Sequence, residues 1–287
     1  MPGSEAEKSD DIRHLERVLP LLSDSRSTRM TTAVNLLGEV IALTPRPQWT
    51  DMFPNDLAGL ACHARSYRDL RAAVTLLTYG YYGQARAVLR GVYESATIGR
   101  KLAKEPELAE KWIRRRSQFQ DKEVRRWAVD SGLISEADDK TYAQMYQYLG
   151  RWAHSTLDSC RSYIKTGESR LVLQVATEFD SELFFTLVAE IASMAIFCCF
   201  AVRNSAVDER AIDAGWRQRL SELSPEILQR DMEHLERDWE YEKQQYADLR
   251  GRVQAADRLH EHLRAHPASW RNVKSAEPPS KLGRGRP

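Results

Sequence analysis

Residues 183–202, LFFTLVAEIASMAIFCCFAV, form an apolar stretch with a single charged residue, Glu190, near the middle. A segment this long and this apolar has two fates: it spans a bilayer, or it becomes the central helix of a bundle. On insertion scales a central acid costs roughly 2.5–3.5 kcal/mol, which Leu, Ile, Phe and Val at about −0.3 to −0.6 each offset. Hydropathy alone therefore leaves both fates open. The rest of the chain favours the second, because its other helices are amphipathic and need something to bury their stripes against. The expectation is a buried core helix, with no membrane favoured and a cytoplasmic location.

The periodicity is helical almost throughout. Residues 28–43 place Met30, Ala33, Val34, Leu37, Val40 and Ile41 on one face, and the turn-rich TPRPQWTDMFP follows. A helix over about 54–79 carries Leu57, Leu60, Ala64, Tyr67, Val74 and Leu77 at 3/4 spacing. Gly80 punctuates it, and 81–104 resumes the pattern with Tyr82, Ala85, Leu89, Val92, Ala96 and Leu102. Pro106 suits the first turn of a helix reaching about 130, where Ser131-Gly132 ends it. Ser135 and Asp138 form the signature of an N-terminal capping box for a helix to about 153, and Ser155 with Asp158 repeats it. Residues 166–178 are the one place that reads as extended, near 168–176, either as a short hairpin or as an ordered loop.

From Leu228 the apolar positions run Leu228, Met232, Leu235, Trp239, Tyr246, Leu249, Val253, Ala256 and Leu263, a 4,3 rhythm interrupted at Glu242 and His260. Such a pattern predicts one long coiled-coil-like helix, started at Ser224-Pro225-Glu226 and stopped by Pro267. About 40 residues would span about 60 Å, so an overhang, and with it a homodimer, is expected. The domain reading is a flexible segment over 1–27, a helical bundle over 28–205, a C-terminal helical segment over 206–266 and a disordered basic tail over 267–287. That tail ends Arg284-Gly285-Arg286-Pro287, similar to the core of an AT-hook; the alternatives are a weak DNA contact and a plain solubilising tail.

The formal net charge is +1, so no global field draws the chain to nucleic acid, and any such partner must meet a local patch. The four cysteines lack CxxC spacing and read as reduced core thiols. The acidic, polar N-terminus carries no apolar signal-peptide core. No GxGxxG, P-loop, HExxH or GxSxG motif occurs, and no cofactor or metal is expected.

Three features carry candidate chemistry. On YYGQARAVLRGVYESATIGR, Arg86, Arg90 and Glu94 recur every four residues beside the apolar stripe. Arg preceding Glu at i+4 is the weaker orientation for an exposed pair, so Arg90 and Glu94 read either as a partly buried ion pair or as a pocket in which Arg90 binds an anion or phosphate. His154, in LGRWAHST, reads either as a packed or capping residue or as a general acid–base. Residues 100–126 hold ten Lys or Arg against five acids, and Lys111, Arg115, Lys122 and Arg126 fall on one helical stripe with Trp112, Phe119 and Trp127 alongside. That stripe reads either as a nucleic-acid contact or as a solvated face whose aromatics mark the buried side.

Taken together, YYGQARAVLRGVYESA and MYQYLGRWAHST resemble a bacterial helical family of unknown function grouped as HEPN-like (higher eukaryotes and prokaryotes nucleotide-binding). The resemblance covers about residues 55–205. It implies an all-α bundle, a dimer with a polar interface cleft, and RNA-directed, ribonuclease-like activity in a defence or toxin-type system, with Arg90, Glu94 and His154 at the matching positions. Active members place an Arg and a His on one helix with four to six residues between them. None of the seven histidines here has that spacing, Arg151 lying three before His154. What the resemblance implies is then a composite site, His154 as acid–base, Arg90 as phosphate or transition-state stabiliser and Glu94 orienting Arg90. The alternative is a non-catalytic, homodimeric interaction or regulatory protein in which the same residues form an internal polar network.

Overall fold

The computed structural model describes residues 10–43, 53–115, 119–154, 164–166, 171–173, 179–205 and 212–228, together with positions 244, 247, 251 and 254. In chain order the elements are α1 (Asp10–Val18), a 3-10 turn (Leu19–Ser23), α2 (Ser25–Leu43), α3 (Pro54–Thr78), α4 (Tyr82–Lys104), α5 (Pro106–Ile113), α6 (Asp121–Asp130), α7 (Glu136–Ala153), β1 (Ile164–Thr166), β2 (Leu171–Leu173) and α8 (Ser181–Ser205). A further helix, α9, covers 214–228. The architecture is an all-α bundle. Its single departure among the described residues is the antiparallel β1–β2 hairpin, which pairs Ile164 with Leu173; β2 falls in the stretch read as extended, and β1 meets that stretch only at Thr166.

The helix starts follow local chemistry. Pro54 and Pro106 sit in the first turns of α3 and α5, where a missing N–H costs nothing. Asp180 caps α8, its Oδ1 accepting from the Glu182 and Leu183 amides at 2.9 and 3.1 Å. Gly80 turns the chain from α3 into α4 at φ +79, and a Cβ there would also strike the His14 ring at 2.5 Å. Both reasons require glycine.

The apolar run becomes α8, the centre of the bundle. It is long and apolar enough to cross a membrane, yet Phe184, Leu187, Val188, Ile191, Ile196 and Cys198 are all buried, several with no exposed surface. It packs on α2, α3 and α4, burying apolar side chains at roughly 1.5–3 kcal/mol each. Trp216 of α9 is fully buried, and its indole N–H donates to the Leu36 carbonyl of α2 at 2.8 Å. Cys62, Cys198 and Cys199 are free and buried, and burial pushes the Cys62 thiol up to about 11.

The structure corrects four expectations. The segment 1–27, expected to be flexible, contains over its described residues α1 and the start of α2, with His14, Val18 and Ser27 buried. The single helix over 106–130 is two, because Arg115 turns into the left-handed region at φ 56 and α6 starts afresh after extended Gln120. Ser224-Pro225-Glu226 is not a helix start: α9 begins ten residues earlier, where the Asp213 carboxylate accepts from the Trp216 amide at 2.8 Å, and Pro225 lies in its last described turn. The bundle accordingly does not end at 205, since Trp216, Leu220 and Ile227 belong to its core.

The chain divides into two compact units, Met1–Glu236 and Arg237–Pro287. In the second, Gln244, Ala247, Gly251 and Gln254 are helical and exposed. The heptad seam beyond Leu228, the basic tail with Arg284–Pro287, and the Ser155–Asp158 signature lie outside the described residues.

Candidate functional site

Helix α4 positions the site. Its stripe of Ala85, Leu89, Val92, Tyr93 and Ala96 is fully buried, so the residues flanking that stripe are delivered to the edge where α7 packs. Helix α7 is registered by its capping box, the Asp138 amide donating to Ser135 Oγ at 3.1 Å and the Ser135 amide to Asp138 Oδ2 at 2.9 Å. At its other end His154 is the C-cap, in extended conformation with its amide donating to the Gly150 carbonyl at 3.3 Å. The break in helical geometry frees the imidazole from the helix surface and turns it back over α4.

There it meets Arg90. One terminal nitrogen of the guanidinium, Nη1, lies 2.5 Å from His154 Nε2, the other donates to the Tyr146 hydroxyl at 2.7 Å, and Nε donates to Glu94 Oε1 at 3.0 Å. Tyr146 closes the ring by donating to the same Glu94 oxygen at 3.1 Å. Because an arginine N–H can only donate, His154 Nε2 receives that bond through its lone pair, which places the proton of the neutral ring on Nδ1. Gly150 makes room: a Cβ there would come within 3.3 Å of Arg90 Nη1. The cluster is open to water, His154 being exposed, the Arg90 side chain 18% exposed and that of Glu94 41%. Partial burial works against the Arg90 charge, but the Glu94 and Tyr146 hydrogen bonds outweigh it and hold the guanidinium above its ordinary range. Burial raises the Tyr146 phenol even with Arg90 beside it.

One turn earlier on α4 lies the ion pair that is fully internal. Arg86 Nε and Nη2 donate to the two carboxylate oxygens of Glu190 at 3.0 and 2.9 Å, with side-chain exposures of 1% and 5%. The Tyr148 hydroxyl donates to Glu190 Oε1 at 3.0 Å, and the Arg86 guanidinium lies 4.7 Å from the centre of the Trp152 ring. Tyr146 and Tyr148, two apart on α7, diverge by roughly 200°, so one reaches the α4 edge and the other the core helix α8. Sequence reasoning did not connect Glu190 to Arg86 or find either tyrosine. The available signal was Glu190 itself, since an acid inside an apolar helix demands a buried cation.

The structure brings Arg90, Glu94 and His154 together. It does not place Lys111, Arg115, Lys122 and Arg126 on one helical stripe: Lys111 belongs to α5, Arg115 follows its end, and Lys122 and Arg126 belong to α6. All four are exposed. Arg126 is held by Asp130 at 3.0 Å and Glu136 at 3.1 Å. Trp112 and Phe119 are partly buried against a small cluster of Ala58, Cys62, Leu102 and Ala109. Among the described residues no three His, Cys, Asp or Glu side chains gather to hold a metal ion. Compared with known proteins, the chain matches no family model, no curated protein and no solved structure.

Proposed function

We propose that the chain is a HEPN-like, RNA-directed protein whose Arg90–Glu94–Tyr146–His154 cluster cleaves or grips a phosphodiester without a metal. The observation that carries this reading is the contact of an exposed imidazole, at the end of α7, with a partly exposed guanidinium of α4. In the reaction, His154 Nε2 leaves Arg90 and takes the proton of a ribose 2′-hydroxyl. The 2′-oxygen attacks phosphorus and forms a cyclic phosphate, and the departing 5′-oxygen takes a proton from water. Arg90, released at Nη1 and still held through Nε by Glu94, donates to the phosphoryl oxygens as charge gathers on them. Tyr146 and Glu94 are positioning residues that fix the guanidinium plane. The heptad pattern after Leu228 adds the proposal of a homodimer, checked by light scattering on the full chain and on a chain ending at 228.

The test is incubation of the purified chain with single-stranded RNA in EDTA. Products carrying 2′,3′-cyclic phosphate ends are expected, lost in Arg90→Ala and His154→Ala; intact RNA with the wild-type protein contradicts cleavage. A second reading, a non-catalytic interaction module, is favoured by one observation: all three nitrogens of Arg90 are already engaged. On that reading the cluster clamps α7 to α4, and loss of any member lowers stability with no activity to lose.

A further inference from the structure

Near its end α4 carries another buried arginine. Arg100 is 3% exposed, as deeply placed as Arg86, but its Nε makes no hydrogen bond, and no carboxylate among the described residues pairs with it. The groups that face it are Tyr93 of α4, Tyr142 of α7 and His63 of α3, none of them an anion. The acids on that side are committed elsewhere: Asp121 accepts from Arg125 at 2.8 Å, and Asp138 from Ser135. Asp121 and Asp138 act on the two tyrosines rather than on Arg100.

His63 is equally enclosed. Its Nε2 lies 2.8 Å from Ser205 Oγ, whose own hydrogen goes to the Ala201 carbonyl at 2.7 Å. Nε2 must therefore donate, and Nδ1, which has no partner, carries a lone pair. A guanidinium cannot shed its charge, and a buried charge without a counter-charge is strongly unfavourable. Arg86 shows how this fold treats such a group when its partner is built in; at Arg100 no such partner is found among the described residues.

We propose that Arg100 is the cationic centre of an internal binding site for a small oxyanion, a phosphate or carboxylate monoanion, at the junction of α3, α4 and α7. The planar guanidinium offers the paired N–H donors that suit two oxygens of one anion. Bound there, the anion supplies the counter-charge and ties α7 to the α3–α4 pair. This site is separate from the Arg90 cluster and does not depend on RNA cleavage.

The test is the melting temperature of the full chain in phosphate and in formate, each against sodium chloride at matched ionic strength. A saturable rise of about 3 °C is expected at tenfold excess over the dissociation constant. A rise with phosphate alone assigns the phosphate class, and a rise with formate alone the carboxylate class. Arg100→Met is expected to abolish the rise and, without anion, to melt no lower than the wild type. No rise with either anion, or an equal rise in Arg100→Met, overturns the proposal. Should Arg100→Met not fold, the Arg100 Nε–H resonance of the wild-type protein decides instead: it moves with added anion if the site exists, and an unmoved resonance overturns it.

Discussion

Arg86 and Arg90 stand one turn apart on α4, each bonded to a glutamate that also accepts from a tyrosine hydroxyl, yet water treats them differently. Arg86 and Glu190 are sealed, bidentate and overlaid by Trp152. Arg90 and Glu94 sit at the edge, joined by a single bond and shared with Tyr146 and His154. A pair in the interior cannot exchange partners without stranding a charge, so it locks three helices in register. A pair at the edge can release one partner to solvent at little cost. The same residue types on the same helix thus form a sealed pair in one turn and, on the proposed function, a reactive one in the next.

The largest effect expected from breaking this comparison is at the sealed pair. Arg86→Met or Glu190→Leu alone should cost about 3–5 kcal/mol in chemical denaturation, because each leaves an uncompensated buried charge. The double replacement should recover most of that loss. A single replacement costing under about 1 kcal/mol would remove the architectural role assigned to the pair.

The two histidines sharpen the same contrast. His63 is buried, and desolvation, helped by Arg100, lowers it to about 4. In the unfolded chain it takes up a proton near pH 6.5, so between those values the unfolded state binds more protons and stability falls as the solution is acidified. The loss from this residue is on the order of 3 kcal/mol between pH 6.5 and 4. Urea titrations across that range should show a shallower acid slope in His63→Gln.

Smaller effects are expected at the edge. Tyr146→Phe removes a hydroxyl that touches both Arg90 and Glu94, and should cost about 1 kcal/mol of stability while slowing RNA cleavage more than it weakens RNA binding. Lys122→Glu, on the exposed face of α6, should change stability by less than about 0.5 kcal/mol. If the basic residues of α5 and α6 meet RNA, Lys122→Glu weakens binding and flattens its salt dependence; unchanged binding assigns them to solvation alone.

Much of the fold was legible because apolar periodicity and local capping do not depend on distant contacts. Leu89, Val92 and Ala96 announced the buried face of α4, and Ser135 with Asp138 announced the start of α7. The pattern failed where backbone geometry overrode it, as at Arg115, and where a better cap lay upstream, as Asp213 does of Ser224-Pro225. At the candidate site, Arg90, Glu94 and His154 were recognisable as types, but their meeting depends on the packing of α7 against α4, which no spacing along the chain encodes. Arg86 with Glu190, 104 positions apart, was invisible for the same reason, although Glu190 alone required some such partner.

The central claim is that the Arg90–His154 contact serves chemistry and the Arg86–Glu190 pair serves the fold. The most direct measurement takes His154→Ala through equilibrium unfolding and RNA cleavage in parallel. The account predicts an unfolding free energy within about 1 kcal/mol of wild type and a cleavage rate reduced about 10²–10⁴-fold. A loss of about 3 kcal/mol in stability, with no cleavage by the wild-type protein, would contradict it and make the cluster a clamp.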